Sequence, residues 1–244
     1  MMREKERIET TKRAGHFEKM LKSYAHHRYF LRLGKRLHRA IEKANSDSKC
    51  LVLEVGCGHG QIIESLSRFK YRCVGLDPNL RALCHARQRL ETGVPLVCGE
   101  AEAISTSGGL FDVVILRGVV HHLHSPETAF SEIRRVLRPG GLVIIFEGNP
   151  KSLYRALVLS LAYILRVDHE TSPFPHLSAE QIIRFMPEGM ELVEADYVSG
   201  LFAPLALRGL GGRRTWALLG WLEDNVVLAY LIRWYNFLVF RRNT

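Results

Sequence analysis

No cysteine pair, internal repeat or low-complexity tract organises this chain, and each absence narrows what it can be. The five cysteines, Cys50, Cys57, Cys73, Cys84 and Cys98, are odd in number and include no Cys-x-x-Cys pair. A disulfide scaffold is therefore not expected, and reduced thiols in a cytoplasmic protein are. No set of histidine, cysteine or acidic residues has metal-ligand spacing along the chain, so no metal is expected. The first residues, Met-Met-Arg-Glu-Lys-Glu-Arg, lead into no apolar segment, and a secretory signal is not expected. No stretch of about 20 mostly apolar residues reads as a membrane span.

Acidic residues are scarce too, with 25 against 34 Lys and Arg and a net charge of +9. The surplus sits at the two ends. Residues 1–49 carry 14 basic against 6 acidic side chains, and residues 208–244 carry 6 against 2, whereas the middle is slightly acidic. Such asymmetry suits nucleic acid, an anionic membrane surface or solvated helices. Tyr24, Tyr29 and Phe30 lie among the N-terminal bases, but no nucleic-acid-binding motif accompanies them, and nucleic acid is not expected as a partner.

What is present begins at Leu51. Leu-Val-Leu-Glu-Val is a β-type run, and Gly56, Gly58 and Gly60 follow at two-residue spacing. Glycines there permit positive φ and let backbone amides approach a ligand at the start of the next helix. A second strand, Cys73-Val74-Gly75-Leu76, ends in Asp77, close to the spacing of about 20 residues at which βαβ nucleotide sites place a ribose-binding acid. The turn lacks the Gly-x-Gly-x-x-Gly form that seats a pyrophosphate, and Glu54 would repel one. A cofactor with a cationic or zwitterionic end fits better.

From residue 50 to 147 the chain resembles the class I S-adenosylmethionine-dependent methyltransferases, in particular the small branch that includes quinone-biosynthesis enzymes. The resemblance rests on five motifs in order: Leu53–Gly60, Gly75-Leu76-Asp77, Gly99-Glu100-Ala101-Glu102, Phe111–Leu123 and Arg135-Val136-Leu137-Arg138-Pro139-Gly140-Gly141. It implies S-adenosylmethionine as cofactor. It also implies cofactor contacts from Glu54, Gly56, Cys57, Gly58, Gly60, Asp77, Pro78, Glu100, Ala101 and Arg117. Cys57 and His59 are more often fillers of this loop than actors.

The resemblance and the alternation of elements predict an α/β, Rossmann-like fold. Its sheet has seven strands, mostly parallel with the last antiparallel, and helices on both faces. Strands are expected near 50–55, 71–76, 94–98, 111–116, 141–147, 190–198 and 237–242, after a basic helical cap within residues 1–48. Residues 49–244 would form the methyltransferase domain. Ser125 and Pro126 should open one helix, and a Ser178–Gln181 capping box another. Residues 201–235 read as an apolar helical insertion. Over 216–236 they form an amphipathic helix whose Trp216, Trp221, Tyr230, Trp234 and Tyr235 suit a membrane interface. A lid over the substrate pocket or a homodimer face explains the same pattern.

Methyl transfer to an O–H, N–H or activated C–H acceptor sometimes needs a base. His121 and His122 follow the fourth strand and Glu147 ends the fifth, and these are the catalytic candidates. The histidine pair is equally readable as packing. Arg117, His169 and His176 are further acceptor-side candidates. The expected activity is methyl transfer to a small hydrophobic or membrane-associated acceptor of quinone, isoprenoid or glycolipid type, at the inner face of the cytoplasmic membrane. Alternatives are a soluble aromatic, polyketide or sugar acceptor, or a non-catalytic module that binds a protein partner.

Overall fold

The structure is a computed structural model, and it describes residues 24–44, 50–153, 155–157, 160, 176–199, 214 and 233–244. His169, the start of the N-terminal helix and residues 216–232 of the expected amphipathic helix lie outside the described residues.

The elements follow the expected alternation. Helix α1 (Tyr24–Ala44) precedes β1 (Leu51–Val55), α2 (Gln61–Ser67), β2 (Arg72–Asp77), α3 (Leu80–Arg89), β3 (Leu96–Cys98) and β4 (Phe111–Arg117). A 3-10 turn (Val120–His122), α4 (Pro126–Val136), β5 (Leu137–Gly148), α5 (Ala179–Arg184), β6 (Met190–Ser199) and β7 (Arg233–Arg242) complete the set. They form one seven-stranded sheet in the order β3-β2-β1-β4-β5-β7-β6. Strands β1 to β5 pair in parallel, and β7 runs antiparallel to both β5 and β6.

Local chemistry accounts for the boundaries. The Ser125 hydroxyl accepts from Thr128 N, with Pro126 in the first turn of α4. The Ser178–Gln181 capping box forms in both directions, at 2.8 and 3.3 Å. Strand β5 starts earlier than the Pro-Gly-Gly stop suggests, because Leu137 already pairs with Phe111 ahead of a shift in register. Strand β7 starts earlier as well. Arg233–Asn236, expected to end the amphipathic helix, are strand residues: Trp234 and Asn236 are buried while Arg233 and Tyr235 are not, and the backbone pairs with β5 and β6. Trp234 is thus a core residue of the sheet.

Two apolar layers cover the sheet. On one face α1 and α2 contribute Phe30, Leu33, Leu37, Ile41, Ile62 and Leu66. On the other, α4 and α5 contribute Phe130, Ile133, Val136 and Ile182. Arg36 of α1 pairs with Glu194 at 3.1 Å and with Asp196, both on β6, and its guanidinium lies 4.7 Å from the centre of the Phe237 ring. These contacts fix α1 over β7 and β6. No helix among the described residues is long and apolar enough to cross a membrane.

Leu37 is fully buried under α1. Leu37→Ala should cost about 2–5 kcal/mol through lost transfer energy and a residual cavity, read as a lower urea midpoint with an unchanged slope.

A glycine turn and an imidazole cluster at the carboxyl edge of the sheet

The β1–α2 turn is tied to the end of β2. Gly56 N and Cys57 N both donate to Leu76 O, at 2.8 and 3.0 Å. Gly58 N donates to Asp77 Oδ2 at 2.8 Å, and Asn79 N donates to Asp77 Oδ1 at the same distance. Asp77 is therefore held rigid with one further lone pair on each oxygen. Gly56, Gly58 and Gly60 have φ of 68, 51 and 75°, a region that disfavours side chains. A Cβ on Gly56 would lie 2.3 Å from Val119 Cγ2, whereas one on Gly58 would meet nothing within 4 Å. Gly58 is thus the open side of the cradle.

Glu54 and Arg117 stand beside this turn, on the face that α1 covers. Glu54 is buried, and its Oε2 and the Nε of Arg117 have no hydrogen-bond partner. Burial pushes the Glu54 carboxyl up to about 8, against the opposing pull of Arg117. The Arg117 guanidinium lies 4.6 Å from the Phe30 ring centre and 5.9 Å from that of Tyr29. The Cys57 side chain turns inward, its sulfur close to Gly75, and burial raises its thiol pKa. Pro78 and Glu100 are exposed at the ends of β2 and β3, and Ala101 is buried behind them.

The catalytic candidates assemble at the same edge, on the opposite face of the sheet. Glu147 has no exposed surface. Its Oε1 lies 2.8 Å from His121 Nδ1, 2.7 Å from His176 Nδ1 and 3.0 Å from Gly148 N. Its Oε2 accepts from Val120 N at 3.1 Å. Burial would raise the Glu147 pKa, but the two imidazoles outweigh it and hold the carboxyl at about 2. The His122 ring lies tilted against His121 with ring centres 4.0 Å apart, and His121 and His176 are 4.2 Å apart. Burial and the neighbouring imidazoles lower the His122 pKa, which keeps it neutral near pH 7.

His176 entered the sequence reading only as a loop candidate. The overlooked signal is Gly148: a Cβ there would lie 2.7 Å from His176 Nδ1, so a glycine after Glu147 is what lets the ring reach the carboxylate.

An open, positive-φ glycine cradle, a rigid acid at the ribose position and an unpartnered buried carboxylate oxygen suit a cofactor with a diol and an ammonium. They do not suit a pyrophosphate. Residues 53–145 match the family described as Methyltransferase domain. Residues 53–145 are a class I S-adenosylmethionine-dependent methyltransferase domain. The wider chain is 32% identical over 144 residues to a ubiquinone biosynthesis O-methyltransferase of Cereibacter sphaeroides, covering 57% of this chain and 50% of the relative. A protein of the same name from Rhizobium etli is 28% identical over 192 residues, covering 74% and 70%. The chain spans about half the length of the first of these curated relatives. A SAM-dependent methyltransferase from Aquifex aeolicus shares the fold, with a TM-score of 0.56 and 14% identity over 85% of this chain and 89% of that one.

In this methyltransferase domain, Glu54 generates a test. Below about pH 8 its carboxyl is protonated in the free protein, and an ammonium partner selects the ionised form. Cofactor binding at pH 7 should release close to one proton, and affinity should fall by up to about tenfold per unit as the pH drops below 8. Calorimetry in buffers of different ionisation enthalpy measures the release, and Glu54→Gln should abolish it.

Proposed function

We propose that this chain transfers a methyl group from S-adenosylmethionine to a hydroxyl of a small, hydrophobic aromatic acceptor of the quinol or catechol class. The observation that carries the reading is the imidazole–carboxylate cluster at the ends of β4 and β5, on the edge where the glycine turn opens. An O–H acceptor must lose its proton as the methyl arrives, and the imidazoles of this cluster can take it. Support for the acceptor class comes from the relatives at about 30% identity, which are named for ubiquinone biosynthesis.

When bound, S-adenosylmethionine supplies an electrophilic methyl group on sulfur. Asp77 would take the ribose hydroxyls and Glu54 the ammonium, and Gly56 to Gly60 would let the backbone close on the cofactor. Glu100 and the backbone of Ala101 would meet the adenine edge. His121 is fixed by Glu147, and His122, whose ring lies against it, would take the acceptor proton. The acceptor oxygen would take the methyl group, with the carbon–sulfur electron pair staying on sulfur, and the His122 imidazole would take the acceptor proton. Positioning of the two reactants accounts for much of the acceleration. An acceptor with a prenyl tail would be drawn from the inner face of the membrane.

Incubation with methyl-labelled cofactor and hydroxylated quinols of increasing prenyl length tests this. Organic-phase label should rise with tail length and should be lost with Asp77→Ala. His122→Ala should lower kcat by about 10²–10⁴ while the KM for the cofactor stays near its original value. Label confined to aqueous products would overturn the hydrophobic acceptor.

A further inference from the structure

We propose that His121 Nδ1, His176 Nδ1 and Glu147 Oε1 form a binding site for one divalent transition-metal ion, with Asn236 Oδ1 as a fourth donor. The three donor atoms come from three separate elements: the 3-10 turn after β4, the end of β5 and the loop before α5. All lie within 4.8 Å of one another. The 121 and 176 side chains are 5% and 23% exposed and Glu147 not at all, so this is an enclosed donor set.

Three features favour an ion over hydrogen bonds alone. The first is crowding at Oε1, where two imidazole nitrogens and Gly148 N converge on an atom with two lone pairs. An ion takes the lone pairs of both nitrogens and the carboxylate oxygen at once. The second is charge: a fully buried carboxylate is costly unless a cation accompanies it. The third is independent of the cluster. Asn236 is 1% exposed, its Oδ1 has no partner, and it pairs directly with Glu147 across the β5–β7 ladder, so both side chains share one face. Its Nδ2 donates to Leu177 O at 3.4 Å, which fixes the amide next to the His176 loop.

The two histidine–carboxylate separations need little adjustment. Ligands about 2.1 Å from an ion at roughly 90–110° to one another are about 3.0–3.4 Å apart, against 2.7 and 2.8 Å here. Two imidazoles and a carboxylate suit zinc, iron(II), cobalt(II) or manganese(II), whereas magnesium and calcium favour all-oxygen sets. An open coordination position would receive the acceptor oxygen and lower its O–H pKa. That use rests on the reading of an O–H acceptor above β4 and β5, while the binding of the ion stands on the geometry.

The test uses the full chain, stripped with chelator and dialysed against zinc, cobalt or magnesium, with bound metal counted by mass spectrometry. Wild type should retain one zinc or cobalt per chain and no magnesium, and bound cobalt should show visible ligand-field bands. His176→Ala should weaken cobalt binding at least 100-fold. Gly148→Ala keeps every ligand but places its methyl group where the His176 ring lies, and it should weaken binding as well; thermal melts confirm that both variants fold. Absence of stoichiometric retention, or retention unchanged in folded His176→Ala, overturns the site. Asp77-dependent methylation of quinols by fully stripped protein would remove the ion's proposed use and leave the function standing. Tight, His176-dependent cobalt binding without methylation of any quinol would overturn the function and leave the site.

Discussion

Burial of the central strands on both faces is the constraint from which the remaining features follow. Val113–Leu116 and Leu142–Phe146 have almost no exposed surface, because helices cover the sheet from either side. A polar side chain inside those strands would lack water and partners. Charge enters near the ends of the strands, as Asp112 does at the start of β4 with Leu51 N and Arg138 as partners. Glu54, Asp77, Arg117 and Glu147 occupy the last or next-to-last positions of β1, β2, β4 and β5, all at one edge. The chemistry of the domain is concentrated there because the rest of the sheet excludes it.

The two-residue alternation of the strands then divides those charges between faces. Glu54 and Arg117 point with Val52 and Ile115 toward α1, where Tyr29 and Phe30 cover them. Glu147 points with Val143 and Ile145 toward α4 and α5, where histidines meet it. Two sets of charged groups thus reach one edge from opposite faces of the sheet. Gly118, at φ 62°, lies in the short link between Arg117 and His121.

All seven strands could be read from the sequence, and so could the caps at Ser125 and Ser178, because each depends on local pattern. The start of β7 could not. Trp234, Tyr235 and Asn236 fit the polar and apolar arcs of a helical wheel, and only cross-strand pairing with β5 and β6 gives their alternate burial meaning. Glu147 and His121 were visible as residues at strand ends. Their meeting with His176 was not, since Glu147 and His176 are 29 residues apart and the approach depends on a missing side chain at Gly148. Absence of metal-ligand spacing along the chain is a weak argument when each donor comes from a different element.

The position of β7 governs the order of assembly. It lies between β5 and β6, so the strand made last among the described elements must enter between two made earlier. Strand β6 has no ladder to join until β7 arrives, and Asn236 cannot reach Glu147 before then. On a ribosome, the cofactor turn can close while the far wall of the edge is still missing. The half that holds the cofactor therefore matures before the half that would use it.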